Sequence, residues 1–239
     1  MIKIINSKEN STYKYLWEIF CGKVNNKVLI YGDDLIYEAK ASSKLESLIV
    51  YENEYIDEEM ETIVLKENLF KNICSYKSLP KRIGVAHLNY SLPKRGDLIY
   101  LDGVQDPGNV GTIIRTALAF SYAGVVLSKD SANIYNTKVV QASKGAIFKI
   151  PVIKKDIFDL DLSNYEVIGT SLQGEDIKNY VPSRKERILV FGSEGQGMSE
   201  KVGNICTKKL LLPIKDIDSL NVASAASIFI YVLRRENGN

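Results

Sequence analysis

Apolar residues along this chain fall into two patterns whose alternation predicts the elements. Short unbroken runs at 98–101, 124–127, 150–153, 167–170, 188–191 and 210–212 have the composition of strands buried on both faces. Between the first two runs, Val110, Ile113, Ile114, Ala117 and Leu118 share one face of a helix, and Arg115 lies well off it. Further helices are expected from 136 or 137 to 146 and from about 220 to 234. The result is an open parallel sheet of five or six strands with helices on both faces. Upstream, helices at 12–20 and 69–76 and a turn and helix at 32–41 alternate with strands at 28–31, 48–51 and 81–89, a small α/β unit. Pro93, Gly96 and adjacent charges at 91–96 mark the boundary between residues 1–93 and 94–239, and its shortness implies that the two units touch.

Polar residues punctuate these elements. Asp106-Pro107-Gly108 is a turn signal, and Asn109 after it is expected to cap the helix, which also carries a thin Gly111. Near the end, Pro213 stops a strand, Ser219 is the expected cap of the closing helix, and Asn221 falls in its first turn, within reach of a neighbouring loop.

Composition narrows the classes. The 239 residues are 45% hydrophobic, enough for a real core. With 31 Lys+Arg against 29 Asp+Glu, net charge gives no argument for a nucleic-acid partner. Local charge is more varied. Glu52, Glu54, Asp57, Glu58, Glu59 and Glu61 read as a solvated loop and helix start facing away from phosphates. Lys77, Lys81, Arg82, Lys94 and Arg95 are equally a solvated linker or a phosphate contact. Cys21, Cys74 and Cys206 have no metal-ligand spacing, and His87, the single histidine, lies in a strand, so zinc sites and histidine triads are nearly excluded. No apolar run approaches a membrane span and no signal peptide opens the sequence, so a soluble cytoplasmic protein is expected.

Phe191-Gly192-Ser193-Glu194-Gly195-Gln196-Gly197 follows a buried strand and invites a nucleotide reading. Its glycines fall as GxxGxG, neither a dinucleotide fingerprint nor a P-loop, and Glu194 opposes a pyrophosphate. A carboxylate suits an adenosine ligand without phosphates, such as S-adenosylmethionine. Alone, the loop is equally a structural glycine turn.

Together, Asn109-Val110-Gly111 with Arg115, Gly192 to Gly197, and Ser219-Leu220-Asn221-Val222 resemble, in order, the three motifs of the TrmH/SpoU family of RNA 2′-O-ribose methyltransferases, within the SPOUT superfamily. The resemblance is close over 97–235 and loose before it. It implies a C-terminal parallel-sheet domain with a deep trefoil knot, S-adenosylmethionine as methyl donor, a homodimer whose interface lies beside the donor site, and an N-terminal α/β domain that binds RNA. It needs no metal and no membrane. Ribosomal RNA is the first choice of substrate and transfer RNA the second. Carried over by position, Arg115 is catalytic with Asn109 positioning it or the RNA, and Glu194, Ser219 and Asn221 shape the active site. Gly192, Gly195, Gly197, Leu212, Ile214, Leu220 and Asn221 hold the donor, with Thr170, Ser171 and Leu172 lining the same pocket.

Arginine is a poor base, its free pKa exceeding about 12. Its fork is better suited to gripping a phosphate and stabilising a developing alkoxide. The sequence departs from the family at Val28-Leu29-Ile30-Tyr31-Gly32, where phenylalanine-leucine-x-glutamate-glycine is common, and at Asn25-Asn26-Lys27, where an arginine is usual. Gln141 replaces another common arginine, Ala223 a serine, and the 213–219 loop is one residue shorter. The competing reading is a non-catalytic RNA- or ribosome-binding module with the same fold.

Overall fold

The computed structural model describes residues 1–52, 59–74, 76 and 78–235; Glu54, Asp57, Glu58 and Lys77 lie outside them. The first half is a five-stranded sheet of β1 (Ile2–Ile5), β2 (Lys27–Tyr31), β3 (Leu45–Tyr51), β4 (Thr62–Leu65) and β5 (Arg82–His87), in the order β1-β4-β3-β5-β2. The first three of that order run parallel, and β5 is antiparallel to both its neighbours. Helices α1 (Ser11–Phe20) and α3 (Glu67–Asn72) close one face over Leu29, Ile49 and Ile83. On the other face lies α2 (Asp33–Ala41).

Two of these strands were not anticipated. β1 buries only Ile5, so it shows no inward alternation to read. β4 starts at Thr62, where the acidic run was expected to begin a helix; Thr62, Ile63 and Val64 are β-branched, and the whole strand is buried between β1 and β3. α3 ends at Asn72, short of the expected 76.

The second half is a six-stranded sheet, parallel throughout, as the apolar runs imply. β6 (Leu98–Asp102), β7 (Gly124–Leu127), β8 (Val152–Lys154), β9 (Tyr165–Asp176), β10 (Glu186–Gly192) and β11 (Lys208–Leu211) are ordered β11-β9-β10-β6-β7-β8. Helices α4 (Pro107–Ala119), α5 (Thr137–Ser143) and α7 (Val222–Val232) cover the face to which Ile99 and Leu101 point. Leu98 and Tyr100, one residue out of phase, meet Val202 of α6 (Glu200–Ile205) on the other face. Gly111 lets α4 press against α5: a Cβ there would overlap Ala142 and the Val139 carbonyl.

The two sheets share a core. Val28, Ile30, Leu48 and Ala86 pack in one cluster with Ile99, Val110, Ile114 and Val139. Polar bonds cross the same seam: Gln141 Nε2 donates to the Tyr31 carbonyl at 2.9 Å, and the Tyr90 hydroxyl donates to the Ile147 carbonyl at 2.5 Å. Among the described residues no helix is long and apolar enough to cross a membrane.

Asp97, 7% exposed, anchors the sheet from beneath. Its carboxylate accepts from the Arg187 amide at 2.8 Å and from Arg187 Nη2 at 2.6 Å, and Arg235, just after α7, donates to both its oxygens. Removing one member of a buried ion pair leaves the other charge uncompensated. Asp97→Ala is therefore expected to lower stability by about 3–5 kcal/mol in urea unfolding. The same measurement on Glu67→Ala, which breaks only an exposed pair with Lys71, should change it by less than about 1 kcal/mol.

Candidate active site

Sheet order reverses between β6 and β10, whose ends lie opposite each other with Asp102 paired to Gly192. In open parallel sheets such a switch point leaves a crevice beyond the carboxyl ends of the strands. Here a cavity of about 660 Å³ lies on the β10 side of the switch point, lined by residues 170–173 within β9, by the loops after β10 and β11 and by α7. That is the size of a site for an organic ligand.

Backbone geometry makes the loop after β10. Ser193 and Gly197 exchange two amide-to-carbonyl bonds, at 3.0 and 2.9 Å, so the chain returns across its own strand. Gly197 has φ +69, in the left-handed region. At Gly192 a Cβ would overlap the backbone of Gly197 and Met198, so any side chain there opens the loop. Gly195 faces open space. Asp102 then accepts from the Ser199 amide at 2.7 Å and fixes the far end of the loop. The sequence reading missed this aspartate; its signal was a carboxylate at the end of a buried apolar strand.

One polar chain joins three distant segments. Asn109 Nδ2 donates to Glu194 Oε1 at 2.6 Å, and Asn109 Oδ1 accepts from Asn221 Nδ2 at 3.1 Å. Asn221 Oδ1 accepts from the amides of Ala223 and Ser224. Both expected caps are corrected by this arrangement. Asp106, whose Oδ1 accepts from the Asn109 amide at 2.8 Å, caps α4, leaving the Asn109 side chain inside the first turn and free to bridge. Asn221 caps α7 in place of Ser219, and its free amide end reaches α4.

Thr170, Ser171, Leu172, Gly192, Glu194, Gly195, Gly197, Leu212, Ile214, Ser219 and Leu220 all line the cavity. Phe191 and Phe229, not anticipated, supply an apolar wall through an edge-to-face ring pair. Glu194, Asp218 and Glu200 face it against Lys209, an acidic balance that suits a cationic ligand. Asn109 and Asn221 are not lining residues; they stand behind Glu194. Burial pushes the Cys206 thiol up to about 11, so it is no nucleophile at neutral pH.

Arg115 is exposed, as its position off the packed face implies, and forms no hydrogen bond or ion pair among the described residues. It does not line this cavity. Six residues beyond Asn109, about 9 Å along the helix, it opens into a second cleft with Tyr31, Gln141 and Lys144. Gln141 is engaged with the Tyr31 carbonyl. Arg82 of the expected basic patch is taken up by Asp33 at 2.6 Å, while Lys81, Lys94 and Arg95 are exposed. His87 pairs with Lys27 across two strands and lines neither cavity. No group of three or more His, Cys, Asp or Glu placed to hold a metal ion occurs among the described residues.

Comparison with known proteins gives the arrangement a context. A sequence model of the SpoU rRNA methylase family matches residues 97–231. The 23S rRNA (guanosine(2553)-2′-O)-methyltransferase RlmP of Bacillus subtilis is 30% identical over 247 aligned positions, covering 98% of this chain and 100% of that protein. Among solved structures, an AdoMet-bound rRNA methyltransferase from Sinorhizobium meliloti shares the fold with a TM-score of 0.82, at 23% identity and 97% coverage of both chains. The SpoU methyltransferase AviRb from Streptomyces viridochromogenes, solved with AdoMet, has a TM-score of 0.81 at 20% identity, covering 94% of this chain and 97% of that one.

The loop geometry yields a paired test. Gly192→Ala is expected to abolish S-adenosylmethionine binding in titration calorimetry, while Gly195→Ala, which meets nothing, keeps the fold and a melting temperature near that of the unsubstituted chain.

Proposed function

Because this chain belongs to the SpoU rRNA methylase family, we propose that it transfers a methyl group from S-adenosylmethionine to a ribose 2′-hydroxyl of ribosomal RNA. The observation that carries this reading is the acidic, glycine-formed cavity beside the switch point, whose Glu194 the Asn109 bridge holds from behind. Its full-length Bacillus relative bears the name of a 23S rRNA 2′-O-methyltransferase, which favours ribosomal over transfer RNA.

The residues present fit the donor. Gly192 lets the loop fold back on itself beside the cavity, Thr170 to Leu172 line it from one side and Leu212, Ile214 and Leu220 from another, and Glu194 and Asp218 supply negative charge. When bound there, S-adenosylmethionine supplies an electrophilic methyl group on a sulfonium. Glu194 is held by Asn109, so its carboxylate keeps a fixed position relative to α4. Arg115, free of other partners, grips a backbone phosphate and stabilises the charge growing on the ribose oxygen. Alignment of the 2′-oxygen with the methyl carbon then supplies much of the rate.

Within one chain Arg115 lines the second cleft and not the donor cavity, and this separation supports a homodimer in which one protomer's donor cavity meets its partner's acceptor groups. α7 supports the same reading: Ala225 and Phe229 line the cavity, while Ile228, Tyr231 and Val232 stay exposed beside it. The same reading includes a trefoil knot, an exception to the usual absence of knots; membership of the family supports it, as does the lining of one cavity by residues after β10 and after β11. Residues 1–93 form the RNA-binding unit and 94–239 the catalytic one. A cytoplasmic setting agrees with three cysteines that form no disulfide.

The test is transfer of label from S-adenosylmethionine to ribosomal RNA, and separately to transfer RNA, from cells lacking this protein. Label in a nuclease-resistant, ribose-methylated dinucleotide of ribosomal RNA is expected; no label in any fraction, with folded protein and assembled subunits also tried, favours the binding module. Arg115→Ala should lower kcat by about 10²–10³-fold and leave donor affinity within about twofold, since the side chain touches neither core nor cavity.

A further inference from the structure

The second cleft lies on the seam between the two sheets and encloses about 480 Å³. Its walls are fixed to each other. Gln141 donates to the Tyr31 carbonyl, Lys149 pairs with Glu38 at 2.5 Å, and the Glu38 side chain packs on Gly145, where a Cβ would overlap it. α2 thereby presents Asp34 and Tyr37 to the opening that Arg115 and Lys144 face from the other side.

These four side chains are unspent. Among the described residues none of them has a hydrogen bond, ion pair or ring contact, and Tyr37 is 71% exposed. Lys144, at φ 49, ends α5 in the left-handed region. A single exposed tyrosine means little on its own. Here it shares a rigid cleft with two free cations and a free carboxylate.

We propose that this seam is a subsite for one unpaired guanine nucleotide of the RNA, at or beside the methylated position. Tyr37 stacks on the base, Arg115 and Lys144 take its backbone phosphate, and Asp34 reads its Watson–Crick edge. The proposal rests on the chain being an RNA methyltransferase and adds the base that the seam selects. Sequence-specific RNA recognition acts on splayed-out bases through aromatic stacking and edge contacts. An ionised carboxylate can only accept. Guanine offers it two adjacent donors, N1–H and the 2-amino group. Adenine and cytosine set an amino donor beside a ring-nitrogen acceptor, and uracil flanks one N–H with two carbonyls, so each puts a lone pair against a carboxylate oxygen. Glu38 does not compete for this edge, being held by Lys149.

The test is fluorescence anisotropy of the full chain with labelled single-stranded RNA heptamers, seven adenosines or the same with a central guanosine or inosine. Guanosine is expected to bind about tenfold tighter than adenosine, with inosine, which lacks the 2-amino group, in between. Asp34→Asn should erase that preference. Tyr37→Ala should weaken all three about tenfold and raise the KM for ribosomal RNA, while Tyr37→Phe, which keeps the ring, restores both. Calorimetric binding of S-adenosylmethionine should be unchanged in each variant, which separates the subsite from misfolding. Equal affinity for guanosine and adenosine, a preference that survives Asp34→Asn, or Tyr37→Ala binding as tightly as the unsubstituted chain each overturns the subsite. Methyl transfer by the unsubstituted chain is scored separately: its presence alongside base-blind binding sinks the subsite alone, and its absence sinks the enzyme reading with it.

Discussion

The carboxamide of Asn109 uses both its ends, and the candidate site depends on that. Its nitrogen donates to Glu194 in the glycine loop and its oxygen accepts from Asn221 at the start of α7. An amide has donor and acceptor on one rigid plane, so a single side chain can hold two loops at a set spacing. Aspartate, of the same shape, could accept from Asn221 but would meet the Glu194 carboxylate with a second negative charge. The other two segments lie 85 and 112 residues from Asn109 in sequence, yet one side chain joins them.

That bridge works because the elements beneath it are rigid. The strands carrying the loops are parallel, so their carboxyl ends open toward one crevice. Asp97 ties β6, β10 and the segment after α7 together at the opposite end. The N-terminal sheet shares the core of α4 and α5 and so has a defined position beside Arg115. The glycine-loop cavity and the seam cleft thus lie on one framework, the first at the strand ends and the second between the sheets.

Much of this was legible in the sequence, for physical reasons that differ by element. Runs such as 98–101 and 188–191 betray themselves because a strand buried on both faces has no polar residue to confuse the pattern. β1 escaped because three of its four residues face out, and β4 because an acidic approach concealed a four-residue strand. The caps were misplaced by two or three residues because Asp106 and Asn109, and likewise Ser219 and Asn221, are all competent caps; tertiary partners decided which side chain was free to bridge. Arg115 was legible as unneeded for packing. Its place in the seam cleft and not in the glycine-loop cavity was not, since helix periodicity gives the face of a residue and says nothing of what that face meets.

The central claim is that the loops after β10 and β11 form one donor site. Amide hydrogen exchange with and without S-adenosylmethionine tests it most directly. The account predicts that the donor slows exchange in 193–199 and in 212–220 together, at the same midpoint concentration. Protection confined to one loop, or to residues away from the cavity, would contradict it.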